Sequence, residues 1–239
     1  MDAKGKGAFD ISEDKALRRG RPKGLARLRT YATGKEILVL GPSSAGKSKF
    51  AEYLQLGRLH PEGEREMTYG LTKSPTFVLT LAGDPAVSRS GGLGLVLNVR
   101  RTVDTPGQTG PVQHASLVGE RKPHAVVIML DGGKAISATI HWLSLFCSRL
   151  DTVLRKGRHA QKKLREIVVV LNKRDKIDAD ECGELTAGIR EVLGRHLSVV
   201  FGADRVGAIP IFECISIQTP QGTALIDAVL AHLAQQLAG

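Results

Sequence analysis

The chain has 239 residues, with 34 Lys and Arg against 24 Asp and Glu for a net charge of +10, and 42% of it is hydrophobic. That is a globular composition with a basic bias, long enough for one or two domains. Six Phe, three Tyr and one Trp are too few for a surface built to stack unpaired bases. The three cysteines, Cys147, Cys182 and Cys214, have an odd count and no CxxC spacing, which excludes a disulfide framework or zinc site and fits a reducing compartment. Met1 to Asp14 has no apolar leader region, and no run of about 18 apolar residues occurs, so neither secretion nor a transmembrane segment is expected. Asp2 and the Leu237-Ala238-Gly239 tail fit neither myristoylation nor prenylation, and a cytoplasmic protein, at most peripheral at a membrane, is the expectation.

Residues 1–35 hold ten Lys/Arg and four Asp/Glu, net +6. With few large apolar residues, residues 1–34 read as a basic, loosely held extension ahead of a folded domain over 35–239. From Lys35 onward, aliphatic runs alternate with helix-period segments, the pattern of a parallel sheet with crossover helices. Ile37 to Leu40 reads as a short buried strand. Phe77 to Leu81 and Leu93 to Val103 read as a hairpin around Ala82 to Gly92, whose Gly, Asp, Pro and Ser are turn formers. Ala125 to Leu130 and Ile167 to Leu171 are uninterrupted apolar runs of the kind buried on both faces. Ile209 to Ile217 is the last strand expected. Helices are expected over Ala138 to Leu154, over Glu181 to Leu193 with Gly194 as its stop, and after Thr219 and Pro220, where Ile226, Val229, Leu230, Leu233 and Leu237 recur at threes and fours. The fold class is α/β, a doubly wound, mostly parallel sheet of about six strands with helices on both faces.

After the first strand comes Gly41-Pro42-Ser43-Ser44-Ala45-Gly46-Lys47-Ser48, followed by the helix-compatible Lys49 to Leu56. This is Gx4GK[ST] between a strand and a helix. Such a P-loop turns its backbone N–H groups onto phosphate oxygens, Lys47 reaches the β- and γ-phosphates, and the Ser48 hydroxyl ligates Mg²⁺. Asn172-Lys173-Arg174-Asp175 ends a later strand. Guanine offers two donors, N1–H and N2–H₂, where adenine has none, and the acceptor-only carboxylate of Asp175 takes both. Asn172 is placed to bridge base and P-loop, and the aliphatic stem of Lys173 to lie over the ring. Between them stands Asp104-Thr105-Pro106-Gly107-Gln108, a DxxG whose Asp104 suits Mg²⁺ through water and whose Gly107 N–H suits the γ-phosphate. Asp131, which ends Val126 to Leu130, is the rival acidic metal residue of an ATPase branch.

On these residues the chain, from about Lys35 to its end, resembles the GTP-binding domain of small GTPases of the Ras and Arf kind. The resemblance implies binding of GTP and GDP with Mg²⁺, slow hydrolysis stimulated by a regulatory partner, and signalling to an effector. It implies that Gln108 orients the attacking water, and that Asp104, Ser48 and a switch threonine close the metal and γ-phosphate shell. Thr76, in Ser74-Pro75-Thr76-Phe77, is the chosen threonine and Thr72 the competitor. Ser216 with Ile217 resembles the Ser-Ala element beside the guanine, with Ile in place of Ala. Three departures stand out: Ser43 where Ras-type chains have Gly and Arf-type chains Asp, Pro106 before Gly107, and the long first-switch stretch Gly57 to Lys73.

The seven histidines show no metal-ligand spacing and read as structural or solvated. The run Arg155 to Arg165 and the head, Lys15 to Arg29, are strongly basic. The head is expected to attract an anionic membrane surface or RNA. A nucleotide-binding scaffold without turnover and an RNA- or ribosome-associated GTPase are the alternatives, separated by a turnover assay and by copurifying RNA.

Overall fold

The computed structural model describes residues 17–57, 59, 72–73, 76–81, 96–106, 109–217 and 219–237. In chain order the elements are β1 (Leu17–Gly20), α1 (Gly24–Thr33), β2 (Lys35–Leu40), α2 (Lys47–Leu56), β3 (Thr72–Lys73), β4 (Phe77–Leu81) and β5 (Val96–Asp104). There follow α3 (Pro111–Arg121), β6 (Ala125–Asp131), α4 (Ile136–Lys156), α5 (Arg158–Lys163), β7 (Glu166–Asn172), a 3₁₀ turn (Arg174–Lys176), α6 (Ala179–Phe201), α7 (Ala203–Gly207), β8 (Ile211–Glu213) and α8 (Pro220–Leu237).

One sheet runs β1-β4-β5-β2-β6-β7-β8, with the short β3 also on β5. From β5 to β8 the neighbours are parallel, whereas β4 is antiparallel to β5 and to β1. The expected hairpin is therefore present as β4 and β5; its loop lies outside the described residues. Side chains alternate across β2: Leu38 and Leu40 join α3, α4 and α6 in one core, while Ile37 and Val39 join α2 and α8 in the other. Both faces of the central strands are thus covered, the reason their sequences are unbroken apolar runs. The architecture is α/β, doubly wound and mostly parallel. None of the described helices is long and apolar enough to cross a membrane.

Residues 17–33 differ from the expected loose arm. β1 pairs with β4 from Leu17↔Leu81 to Gly20↔Val78, and α1 packs on β5 through buried Thr30. Main-chain pairing with β4 and the bond of Thr30 to Asn98 tie this segment to the sheet, and neither is written in an apolar pattern. The helix expected to stop at Gly194 continues to Phe201, because Leu197 extends its buried face. It ends at Gly202, whose φ of 86° suits glycine. Asp178 and Glu181 close its start in a capping box. The last strand is three residues long, Ile211–Glu213, not nine.

Candidate functional site

Loops at the carboxyl ends of β2, β5, β7 and β8 converge, the position at which parallel α/β sheets bind ligands. The P-loop leaves β2 through Gly41, at φ 147°, where a Cβ would lie 2.0 Å from the Met129 carbonyl oxygen. It enters α2 through Gly46, at φ 92°, where a Cβ would lie 2.5 Å from Asn172 Nδ2. Both glycines are therefore required by conformation and by close approach. Ser43 and Ser44 are exposed and Ala45 is buried beneath them; Ser44 itself is left-handed at φ 66°. The Phe50 amide donates to the Gly46 carbonyl at 2.9 Å, so the loop runs straight into the N-terminus of α2, the end of a helix that favours anions.

Lys47 is buried and its ammonium donates to the Pro42 carbonyl at 2.7 Å. Burial lowers its pKa to about 8, and the nearby Asp104 carboxylate opposes that shift. Asp104 ends β5, 3% exposed and level with Val39 of β2. The next residue, Thr105, donates its hydroxyl to the Val39 carbonyl at 3.1 Å and pins the DxxG segment to the P-loop strand. Asp131 is also buried, but it is committed elsewhere. Its Oδ2 pairs with Lys173 Nζ at 2.7 Å and its Oδ1 accepts the Gly133 amide at 3.0 Å.

Across the site, Asn172 Nδ2 donates to the Ala45 carbonyl at 3.1 Å, joining the end of β7 to the P-loop. Lys173, left-handed at φ 59°, donates from Nζ to the Ser44 carbonyl at 2.8 Å as well as to Asp131. Asp175 Oδ1 accepts the Ser216 amide at 2.9 Å, and the Arg174 amide bonds the Cys214 carbonyl at 3.0 Å. Thr219 caps α8, its hydroxyl donating to Ser216 O at 2.9 Å and accepting the Gly222 amide at 3.0 Å. The P-loop, Asn172 to Asp175 and the Ser216 turn thus form one hydrogen-bonded assembly.

Two placements differ from the sequence expectation. Thr76 is not brought to the P-loop: its hydroxyl donates to the Arg100 carbonyl at 3.3 Å, four residues and roughly 13 Å down β5 from Asp104. Thr72, the competitor, stands opposite Asp104 in the β3–β5 ladder. Ile217 is 3% exposed and belongs to the core beneath α8, so its apolar side chain goes to packing and only its main chain borders the site. Gly107, Gln108 and residues 60–71 of the long first-switch stretch lie outside the described residues. The sequence reading passed over Thr105 and His114. The latter lies fully buried on α3 within reach of the Lys47 charge; its only sequence signal was an imidazole on the helix following DxxG.

No protein-family model and no curated protein matches the chain. Among solved structures it is similar to translation elongation factor SelB from Methanococcus maripaludis in complex with the GTP analogue GppNHp, at a TM-score of 0.48 and 14% identity over 85% of this chain and 34% of that one. It is also similar to a bacterial selenocysteine-specific elongation factor EF-Sec, at 0.47 and 16% over 85% of this chain and 28% of that one. The chain spans about a third or less of the length of each.

Proposed function

We propose that the chain binds GTP and GDP with Mg²⁺ and hydrolyses GTP slowly as a nucleotide-dependent switch. The observation that carries this reading is the Asn172 to Ala45 bond, which ties the guanine-reading turn to the phosphate-binding loop. In this reading the P-loop amides and Lys47 hold the phosphates; Lys47 exchanges its bond to the Pro42 carbonyl for phosphate oxygens. Asp175, kept in place by the Ser216 amide, accepts the two guanine donors. The donors that fit Mg²⁺ are oxygen ligands, the Ser48 hydroxyl and the Asp104 carboxylate. A bound Mg²⁺ supplies charge neutralisation on the β- and γ-phosphate oxygens. Thr72, opposite Asp104, takes the switch-threonine role in place of Thr76; the Gly107 amide meets the γ-phosphate, and Gln108 orients water.

The test is competitive binding of GTP, ATP and xanthosine triphosphate. Wild type is expected to prefer GTP over ATP by about 10⁴-fold, because adenine leaves the Asp175 carboxylate without donors. Asp175→Asn is expected to move the preference to the xanthine nucleotide. Equal affinities of wild type for ATP and GTP would refute the reading.

Regulatory and effector proteins belong to the same proposal, as does an anionic membrane surface. The basic head leads through Gly34 into Lys35, and the run ending at Arg165 returns beside it. His124 sits between them, its pKa lowered to about 4 by burial and by Lys163, Lys35, Arg100 and Arg165. Glu36, buried and bonded to Arg100 at 2.7 Å, is the acid that these cations share. Lys35, which follows the basic head, and Lys163 and Arg165 of the second basic run therefore lie together at the pole opposite the P-loop. There α1 exposes Leu25 and Leu28, at 84% and 67%, among Arg21, Lys23, Arg27 and Arg29, a combination that fits lipid better than RNA.

A further inference from the structure

A cavity of about 240 Å³ opens at the amino-terminal end of β7, where the end of α6, the short α7 and the last turns of α8 come together. The amides of Arg165 and Glu166 both donate to the His124 carbonyl, at 2.8 and 3.2 Å, and the His124 ring accepts the Glu36 amide at 3.0 Å. The cavity therefore adjoins the basic pole at the start of β2. Its floor is apolar, with Ile167 and Ile209 buried, and its rim carries two exposed cations, Arg165 and Arg205. Arg205 is fixed in advance: its Nη2 donates to the Leu164 and Arg165 carbonyls at 2.9 and 2.7 Å, and its guanidinium lies 4.6 Å from the centre of the Phe201 ring. Both acceptors are neutral, and among the described residues no carboxylate pairs with this guanidinium. The cavity also holds one acid, Glu166, whose Oε1 is bonded to His232 Nε2 at 3.1 Å and whose other oxygen has no partner among the described residues.

We propose that this cavity receives the headgroup of an anionic aminophospholipid, phosphatidylserine. The two guanidinium groups take its phosphate and carboxylate oxygens, and Glu166 takes its ammonium group. A purely anionic ligand would bring negative charge against Glu166, and a simple cation would meet two arginines; a group that carries both signs is matched at both ends. The volume falls below the roughly 300–1,000 Å³ that house whole small-molecule ligands and suits a headgroup whose acyl chains stay outside. In the sheet, β7 lies three strand spacings from β5, on which α1 packs, roughly 14 Å, close enough for the cavity and the α1 leucines to meet one membrane surface. This rests on the reading of the basic pole as membrane-facing and adds to it a choice among anionic lipids; it does not depend on the nucleotide site.

The test is cosedimentation of the full chain with phosphatidylcholine vesicles that carry equal fractions of either phosphatidylserine or phosphatidylglycerol. The two lipids have the same net charge and only the first has a carboxylate and an ammonium group, so attraction to charge alone binds them equally. Wild type should prefer phosphatidylserine by about tenfold or more, the effect of charge-assisted hydrogen bonds. Glu166→Gln, which keeps a hydrogen-bond partner for His232, should bring that ratio close to one without weakening binding to phosphatidylglycerol. Arg205→Gln should bring the ratio close to one and lower both affinities. Equal binding of wild type to the two vesicles overturns the headgroup site and leaves the membrane-facing pole standing, whereas binding to neither overturns both. A preference that survives in both variants also overturns the site. Because Arg205 ties down two carbonyls, spectra of ¹⁵N-labelled wild type with glycerophosphoserine decide should that variant not fold. Shifts centred on Arg205, Ala208 and the Gln236 side chain support the proposal, and their absence overturns it. The same shifts without a preference between vesicles assign the cavity to a soluble phosphoserine compound and overturn the lipid assignment.

Discussion

Asp104 and Asp131 end the strands on either side of β2, and their neighbours give them different work. Asp131 is neutralised by Lys173 and the Gly133 amide. Asp131→Asn therefore leaves Lys173 without its counter-charge and, on the proposed reading, should weaken GDP and GTP binding together while sparing the dependence on Mg²⁺. Asp104→Asn should remove most of the Mg²⁺ enhancement of triphosphate binding. Calorimetry with and without Mg²⁺ checks the pair, and the reverse assignment would move the chain to the ATPase branch. The histidines make a second residue-scale prediction. His114 and His124 titrate at about 4 in the folded chain, from an ordinary 6.5. Between those values the unfolded chain binds more protons, so stability is full above pH 6.5 and falls as the pH drops toward 4. For fully buried His114 the loss is on the order of 3 kcal/mol; the partly exposed His124 adds less. Thermal melts should show a smaller drop from pH 6.5 to 4 for His114→Phe than for wild type.

At the scale of elements, a glycine inside α6 and the glycine that ends it make opposite predictions. Gly194 lies inside the helix with open space around its Cα, so Gly194→Ala should stabilise by about 0.5–1 kcal/mol. Gly202 has equal room but a φ of 86°, so alanine there should destabilise by about 1 kcal/mol. Chemical denaturation of the two variants checks both signs. The same pair shows what the chain's letters reveal. A glycine after an apolar face reads as a stop, yet at position 194 Leu197 one turn later outweighs it. The central strands were legible because burial on both faces demands unbroken apolar runs, and the P-loop because its glycines answer to conformation. The helix α3 was missed because only His114, Ala115 and Val118 are buried on it and Gly119 replaces a larger residue against Val153. β1 and α1 were missed for a related reason: α1 turns its leucines outward and buries Thr30. In the site, the structure brings Asn172 and Lys173 against the Ala45 and Ser44 carbonyls, a neighbourhood that the order of the motifs along a parallel sheet already implies. The positions of Thr72 opposite Asp104 and of Thr76 against the Arg100 carbonyl depend on strand register, which no local motif records.

On the scale of the whole molecule, the parallel strands separate two poles. β2 has six residues and spans roughly 20 Å, with the P-loop at one end and Lys35 at the other. A partner on the basic pole would leave the P-loop end of the sheet open, as the proposed switch requires. We expect full-length protein to cosediment with vesicles containing phosphatidylserine and not with neutral ones. Each basic group near the surface is worth about 1 kcal/mol, and binding should decline steeply as salt shortens the screening length below about 8 Å. Lys163→Glu with Arg165→Glu should weaken binding through charge. Leu25→Ser with Leu28→Ser should weaken vesicle binding while leaving any RNA retention untouched, since an RNA backbone has no use for two exposed leucines. If the leucine pair proves neutral and RNA competes the vesicles away, the anionic partner is nucleic acid. If neither pair matters, the basic pole is a solvated surface. The leucines separate these cases because cations attract either polyanion, while burying two apolar side chains is favourable only against a hydrocarbon interior.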